Sequence, residues 1–190
     1  GDIALLHALG EACGFSAHEI APLHVDGERV SSTAIRAALV QGDFEHAARL
    51  LGRPYAIGGR VVRGQQLGRT LGYPTANLRY GGKTPALRGI FATWVHGIGE
   101  QPWPSVSSFG TRPTVDGQEP LLEAHLFDFE GDLYGRRIEV EFVAHLRDEE
   151  KFPDLPSLVA QMRHDEARAR AILQRDVPAG ATAAVQSCRA

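Results

Sequence analysis

From Tyr55 onward the apolar residues of this 190-residue chain recur with a period of two, and that periodicity restricts the possible folds more than any other feature. Arg137–Phe142 shows it most cleanly, with Ile138, Val140 and Phe142 alternating with Glu139 and Glu141. Successive strand side chains point to opposite faces, so such a segment buries one face and wets the other. With this strand taken as Arg137–Ala144, comparable runs at Tyr55–Arg63, Thr75–Arg79, Gly89–Gly97, Pro104–Phe109 and Leu121–Phe129 bring the candidate strands to six. Gly-Gly, Asp-Gly and Pro-rich turns separate them without an intervening helical pattern. The pattern predicts an antiparallel barrel or sandwich and does not choose between them.

The first fifty residues read differently. Asp2 is placed to cap a helix over Ile3–Ala12, with Gly14 just past its end. Ser31 or Ser32 caps Thr33–Val40, ended by Gly42, and Asp43 caps Phe44–Leu51, ended by Gly52. Ile20–Val25 is strand-like. Three short helices and one strand make a poor independent core, so this segment reads as the tail of a larger α/β domain. At the other end Asp154 caps a closing helix, Leu155–Leu173, whose Pro156 falls in the first turn. Leu155, Leu158, Met162, Ala169 and Ile172 form its apolar stripe, and Met162 is expected to be core. After Asp176 the Pro, Gly, Ala, Thr and Ser content predicts a flexible tail over residues 176–190.

Composition removes several function classes. A hydrophobic fraction of 43% with 23% charged residues is that of a soluble globular protein. No apolar run is long enough to span a membrane, and Gly1-Asp2 does not open a signal peptide, so no membrane partner is expected. A net charge of −3 argues against nucleic acid as the main partner, although a local basic face stays open. Cys13 and Cys188 are too few and too far apart for a disulfide framework or zinc site, which fits a reducing cytoplasm.

Chemistry concentrates in residues 64–77, where Gly64, Gly68 and Gly72 recur every fourth position around Arg69 and lead into Pro74-Thr75-Ala76-Asn77. Glycines let backbone approach phosphate closely, and unpaired amides in such a loop bind anions. Pro74 biases Tyr73 toward extended geometry. Thr75 and Asn77, two apart, then project from one face, and their oxygens suit Mg²⁺ shared with substrate phosphates. A Gly-rich hairpin loop with a turn-forming proline explains the same residues. Gly82-Lys83-Thr84 imitates the end of a P-loop, but the expected first glycine is Asn77 and Pro85 follows where a helix should start. Glu123 lies mid-strand between Leu122 and Ala124, where an acid is out of place. It is either a solvated strand glutamate or a base. His125 shares its face but lacks companion metal ligands, and the Asp128, Glu130 and Asp132 run around Gly131 reads as a solvated turn.

Residues 64–77 closely resemble the nucleotide-binding segment of riboflavin kinases, a glycine-rich turn entering Pro-Thr-Ala-Asn. The resemblance continues through Gly110-Thr111-Arg112-Pro113-Thr114, Leu122-Glu123-Ala124-His125-Leu126, Asp132-Leu133-Tyr134-Gly135 and Leu146-Arg147-Asp148-Glu149-Glu150-Lys151-Phe152. Upstream, Val30-Ser31-Ser32-Thr33-Ala34-Ile35-Arg36 is similar to the late nucleotide motif of FMN adenylyltransferases, as found in bifunctional FAD synthetases. The resemblance implies a mainly β fold: a six-stranded antiparallel Greek-key-like barrel with a C-terminal helix, preceded by a short helical remnant of an α/β nucleotidyltransferase domain. It divides the chain into an adenylyltransferase-like segment (1–52), a riboflavin kinase domain (53–175) and the tail. It implies ATP-dependent phosphorylation of the riboflavin 5′-hydroxyl to FMN and ADP, with Mg²⁺, in the cytoplasm. It places Glu123 on the catalytic glutamate and Gly64, Gly68, Arg69, Gly72, Pro74, Thr75 and Asn77 at the nucleotide, with Thr75 and Asn77 as metal ligands. Arg147 and Phe152 fall in a flavin-binding region, although Phe152 can equally staple the helix start.

Ser31, Ser32, Thr33 and Arg36 form the adenylyltransferase remnant, with hydroxyls and a guanidinium suited to triphosphate. The His-x-Gly-His motif of that activity does not occur in these residues, so this chain alone is expected not to make FAD. The missing part of the adenylyltransferase domain would then be the chain's partner in a full-length protein. Ser108-Phe109-Gly110 departs from the family's usual Asn-Ile-Gly, which predicts altered ligand contacts at Ser108. A non-catalytic flavin- or nucleotide-binding module would keep the barrel without needing Glu123. An oligonucleotide-binding barrel would need a basic face with interleaved aromatics.

Overall fold

The computed structural model of the chain describes residues 2–64, 67–81, 85–114 and 117–175. The expected tail at 176–190 and the P-loop imitation Gly82-Lys83-Thr84 lie outside the described residues. The chain divides into two compact units, Gly1–Ser31 and Ser32–Ala190.

In the first unit, helix α1 (Ile3–Cys13) starts at Asp2, whose carboxylate accepts from the Ala4 amide at 3.0 Å, and closes at Gly14 with φ 75°. The strand expected over Ile20–Val25 shrinks to a two-residue hairpin, β1 (His24–Val25) with β2 (Glu28–Arg29). Asp26 and Gly27 both take positive φ between them, as a tight primed turn requires. A lone two-stranded hairpin has little to pack on, and Ile20 remains 91% exposed.

The second unit begins with α2 (Ser32–Gln41) and α3 (Phe44–Leu51), the latter capped by Asp43 and ended by Gly52 in the left-handed region. Six strands follow: β3 (Ala56–Val62), β4 (Ala76–Arg79), β5 (Gly89–His96), β6 (Trp103–Thr114), β7 (Gly117–Leu126) and β8 (Arg137–Arg147). They close an antiparallel barrel in the order β3-β4-β7-β6-β5-β8. Closure leaves no open sheet edge, which is why short strands suffice. A one-turn helix, α4 (Leu67–Thr70), interrupts the segment read as free of helices. β6 also runs past Phe109, because Gly110–Thr114 pairs with Gly117–Leu121 where the Gly-Pro punctuation suggested a loop.

Alternate residues fill the barrel, among them Phe91, Leu122, Ala124, Val140 and Phe142, all at most 2% exposed. Phe44 of α3 joins this core, stacked on Phe142 and edge-on to Phe91 with centroids 5.8 Å away in each case. Thus α2 and α3 belong to the barrel's compact unit although their sequence reads with the preceding domain. A second core lies on the outer face of the barrel, where Ala92, Trp94, Phe127 and Leu146 meet Ala169 and Leu173 of α5 (Leu155–Leu173). Asp154 caps α5 through the Ser157 amide at 2.8 Å. The expected stripe holds only in its C-terminal half. Leu155 is 54% exposed, and Leu158 and Met162 line a cleft instead of entering the core. The first turns of α5 therefore cover the cleft, and the helix's buried contacts with the barrel begin at Asp165. No helix among the described residues is long and apolar enough to cross a membrane.

Candidate active site

One transverse row of residues organises the outer barrel wall. Glu123 on β7 stands opposite Asn77 on β4 and, on its other side, opposite Ser108 on β6. Ser108 opposes Ile90 on β5, and Ile90 opposes Arg147 on β8. A register shift between Ile90 and Phe91, of the kind that re-aims a side chain, brings Arg147 into the row. With neighbouring strands about 4.8 Å apart, the row extends roughly 19 Å along the sheet. Leu122 and Ala124 point into the barrel, so Glu123 points out of it. It is not solvated like an ordinary outer-face glutamate, because it lines a cleft roofed by Leu158, Met162 and Asp165 of α5.

Two clefts meet on this wall. The first, about 380 Å³, is lined by Gly64, Arg69, Pro74, Thr75 and Asn77 and by the turn from Phe129 to Tyr134. The second, about 330 Å³ and more apolar, contains Gly68, Tyr73, Thr75, Ser108, Glu123, His125 and Arg147. Thr75 lines both, so a group held at Thr75 is accessible from either side. Asn77 is 5% exposed, and its amide is packed against Gly64, where an added Cβ would collide with it. Gly64 is therefore glycine because Asn77 occupies the space its side chain would need.

The remaining glycines act through the backbone. A Cβ on Gly68 would strike the Tyr73 carbonyl, and the Tyr73 amide donates to the Gly68 carbonyl at 2.7 Å. Gly72 takes φ 86° with open space around it and lines neither cleft. It lets the chain leave α4 and turn into Pro74.

His125 has a visible task. Its Nδ1 lies 2.9 Å from the Pro74 carbonyl oxygen, and its ring meets Tyr73 edge-on at 5.0 Å. Burial, then the negative charge of Glu166, raise the Tyr73 phenol above its ordinary range and keep it protonated. No group of three or more His, Cys, Asp or Glu side chains among the described residues could hold a metal.

Arg147 is clamped at the rim of the second cleft. Its guanidinium donates to Asp165 through Nε at 3.0 Å and Nη2 at 2.8 Å, and through Nη1 to the Asp148 carbonyl at 2.9 Å. Asp165 is 3% exposed and also accepts from Gln161 at 2.9 Å. The Phe152 ring lies 5.6 Å from the Arg147 guanidinium but does not line the cleft. Glu149 packs over Gly110, where any side chain would collide with its carboxylate. Ser31 closes the first unit, whereas Ser32, Thr33 and Arg36 lie on the exposed start of α2, and none of them lines either cleft.

Several cleft residues carry no signal in the sequence that by itself marks them as ligand contacts. Glu130 and Asp132, read there as a solvated turn, form one wall of the first cleft, and Leu158 and Met162 roof the second. The Asp132–Gly135 motif was the available signal for the former. Nothing local marks the α5 residues, which reach the cleft through packing.

Comparison with known proteins sharpens these observations. The family model described as "Flavokinase: Riboflavin kinase" matches residues 51–173. The bifunctional riboflavin kinase/FMN adenylyltransferase of Escherichia coli (strain K12) is 44% identical over 179 residues, 94% of this chain and 57% of that protein. The protein of the same description from Pseudomonas fluorescens is 45% identical over 173 residues, 90% of this chain and 55% of its own. The chain thus spans little more than half the length of these curated relatives. A crystal structure described as a macrolide-efflux protein from Streptococcus pneumoniae superposes with a TM-score of 0.69 at 37% identity, covering 78% of this chain and 49% of that one.

Proposed function

The chain belongs to the riboflavin kinase family, and from that premise we propose that it transfers the γ-phosphoryl group of ATP to the 5′-hydroxyl of riboflavin. The observation that carries the reading is the meeting of two clefts at Thr75, with Asn77 and Glu123 directly opposite each other beside it. The first cleft takes the nucleotide, its phosphates toward Gly64, Thr75 and Asn77. The second, more apolar, takes riboflavin with its 5′-hydroxyl at Glu123. The Glu123 carboxylate accepts the hydroxyl proton as the oxygen attacks the γ-phosphorus. The bond from that phosphorus to the bridging oxygen breaks, and ADP leaves with the electron pair. Positioning two reactants in one site supplies much of the rate, and the base contributes about 10²- to 10⁴-fold.

Thr75 and Asn77 offer the hard neutral oxygens that Mg²⁺ accepts when phosphates supply the negative charge, which fits a cation entering with ATP. When bound, the ion would neutralise charge developing on the phosphate oxygens. Arg147 supports the flavin cleft through its clamp on α5, and Phe152 acts beside it. Gly68 and Gly72 shape the nucleotide turn, and Arg69 and Pro74 border it.

Residues 1–52 are read as the end of an adenylyltransferase-like domain, with Ser31, Ser32, Thr33 and Arg36 as the remnant of its motif. The exposed Leu5, Leu6 and Leu9 of α1 suit a segment whose core partner is elsewhere in a bifunctional FAD synthetase. Residues 53–175 form the kinase, and its place is the cytoplasm, consistent with the exposed thiol of Cys13. Incubation with riboflavin and MgATP, followed by chromatography, tests the reading. FMN and ADP in equal amounts are expected. Binding of both ligands without FMN under any divalent ion would instead make this a binding module.

A further inference from the structure

We propose that His125 is a positioning residue for the phosphate- and cation-binding turn, holding Thr75 in place through the Pro74 carbonyl. The inference rests on the kinase reading above and assigns a role to a side chain that transfers no proton to substrate. Thr75 precedes the first paired residue of β4, Ala76 opposite Ala124, so the described sheet ladder does not fix it. Pro74 has no amide hydrogen, leaving its carbonyl as the only hydrogen-bonding group of that residue's backbone. This carbonyl belongs to the same rigid peptide plane as the Thr75 amide, so anchoring one orients the other.

His125 provides the anchor at 2.9 Å from Nδ1 to the Pro74 oxygen. A carbonyl oxygen can only accept, so Nδ1 carries the proton. The same ring packs edge-on against Tyr73 at 5.0 Å, which grips the two residues before Thr75 with one side chain. From the other side the Tyr73 amide is tied to the Gly68 carbonyl at 2.7 Å. The turn is therefore held between α4 and β7, and β7 also carries Glu123 two residues away. His125 sets the spacing between the cation-binding oxygen and the base. A displacement near 1 Å at such a centre costs on the order of 10²-fold in rate.

The test separates the hydrogen bond from the bulk of the ring. In His125→Asn the amide nitrogen falls near the place of Nδ1 and can still donate to Pro74. In His125→Leu the volume is kept and the donor is lost. MgADP affinity measured by calorimetry, and riboflavin affinity measured by fluorescence quenching, are compared with the MgATP KM. His125→Leu is expected to weaken MgADP about tenfold or more and raise the MgATP KM equally, with a clearly smaller loss of riboflavin affinity, since the ring also lines the flavin cleft. His125→Asn should recover most of the loss. Should His125→Leu fail to fold, His125→Gln replaces it, because its amide nitrogen falls near Nε2 and misses the carbonyl. Unchanged MgADP binding, equal losses in the Asn and Leu variants, or a parallel loss of riboflavin affinity would each overturn the inference. MgADP binding needs no turnover, so absence of FMN formation by the wild type would count against the kinase reading alone.

Discussion

Asn77 and Glu123 face each other in register across β4 and β7, an amide on one strand and a carboxylate on the next. Directly opposed residues of an antiparallel pair have Cα atoms about 4.5 to 5.5 Å apart. Under the proposed function this pair would bring a cation ligand and a base to one phosphoryl group. Asn77 is buried against Gly64, while Glu123 opens into the neighbouring cleft.

Replacing Glu123, the proposed base, with Gln keeps the shape and removes the carboxylate. Turnover is expected to fall about 10²- to 10⁴-fold, with small changes in the KM of either substrate. Steady-state kinetics on folded protein decides this, and near wild-type kcat would remove Glu123 from the mechanism.

Asn77→Ala and Thr75→Ala should both weaken MgATP far more than riboflavin. Gly64→Ala is expected to imitate Asn77→Ala while keeping the side chain, because the new Cβ collides with the Asn77 amide, its oxygen first. Calorimetry with MgADP reads all three. If MgADP affinity is unchanged in every one, the cation is held by other groups.

Gly68 and Gly72 should fail for different reasons. Gly68→Ala drives a methyl into the Tyr73 carbonyl and is expected to displace the turn that leads to Thr75. At Gly72 no neighbour objects, and the penalty is the positive φ, about 1 to 2 kcal/mol for a residue with a Cβ. Gly72→Val should therefore lower Tm modestly and weaken MgADP, whereas Gly68→Ala should strike nucleotide binding harder. Thermal melts paired with calorimetry distinguish the two.

The Arg147–Asp165 pair couples α5 to the barrel end. Asp165→Ala leaves a largely buried guanidinium without its main partner, a change that costs about 3 to 5 kcal/mol in comparable sites. Chemical denaturation should show this loss, accompanied by weaker riboflavin binding if the second cleft, lined by α5, is the flavin site as proposed. Full stability in the variant would mean that the remaining contacts of α5, among them Ala169 and Leu173, suffice to hold it.

His96 offers a pH test away from the site. Its Nε2 lies 2.8 Å from the Glu141 carboxylate, and that hydrogen bond, stronger than the opposing burial, raises the imidazole above its ordinary range. A raised folded-state value means that the pair's contribution is fully present below about pH 6.5 and is lost as pH rises through the folded value. The Tm difference between wild type and His96→Gln should accordingly shrink between about pH 5.5 and about pH 8.5. A difference that grows with pH would reverse the sign of the coupling.

Helix boundaries were legible because capping is local chemistry. Asp43 with Gly52 and Asp154 with its first turn bracket helices at the residues expected. The six barrel strands were legible for a similar reason, since alternation such as Ile138, Val140 and Phe142 records one buried face. Less visible was the reach of β6 through Gly110–Thr114, where residues that usually break strands pair within a long hairpin. The sequence also hides the exposure of Leu155 and the cleft position of Met162, because an apolar stripe does not reveal which of its turns has a neighbour.

The amino-acid order alone determined the alternation, the caps, the glycine spacing and the family motifs, all of which depend on neighbours within a few positions. Only the closed barrel decided that Asn77, Glu123, Ser108, Ile90 and Arg147 share one row, that Thr75 joins two clefts, and that His125 grips Pro74. Those relations depend on strand register and closure, where residues 51 positions apart, such as Pro74 and His125, come within hydrogen-bond distance. A local pattern sets which face of each strand is buried. The partner that a strand finds, and therefore the chemistry its exposed face can perform, is settled only when the whole sheet closes.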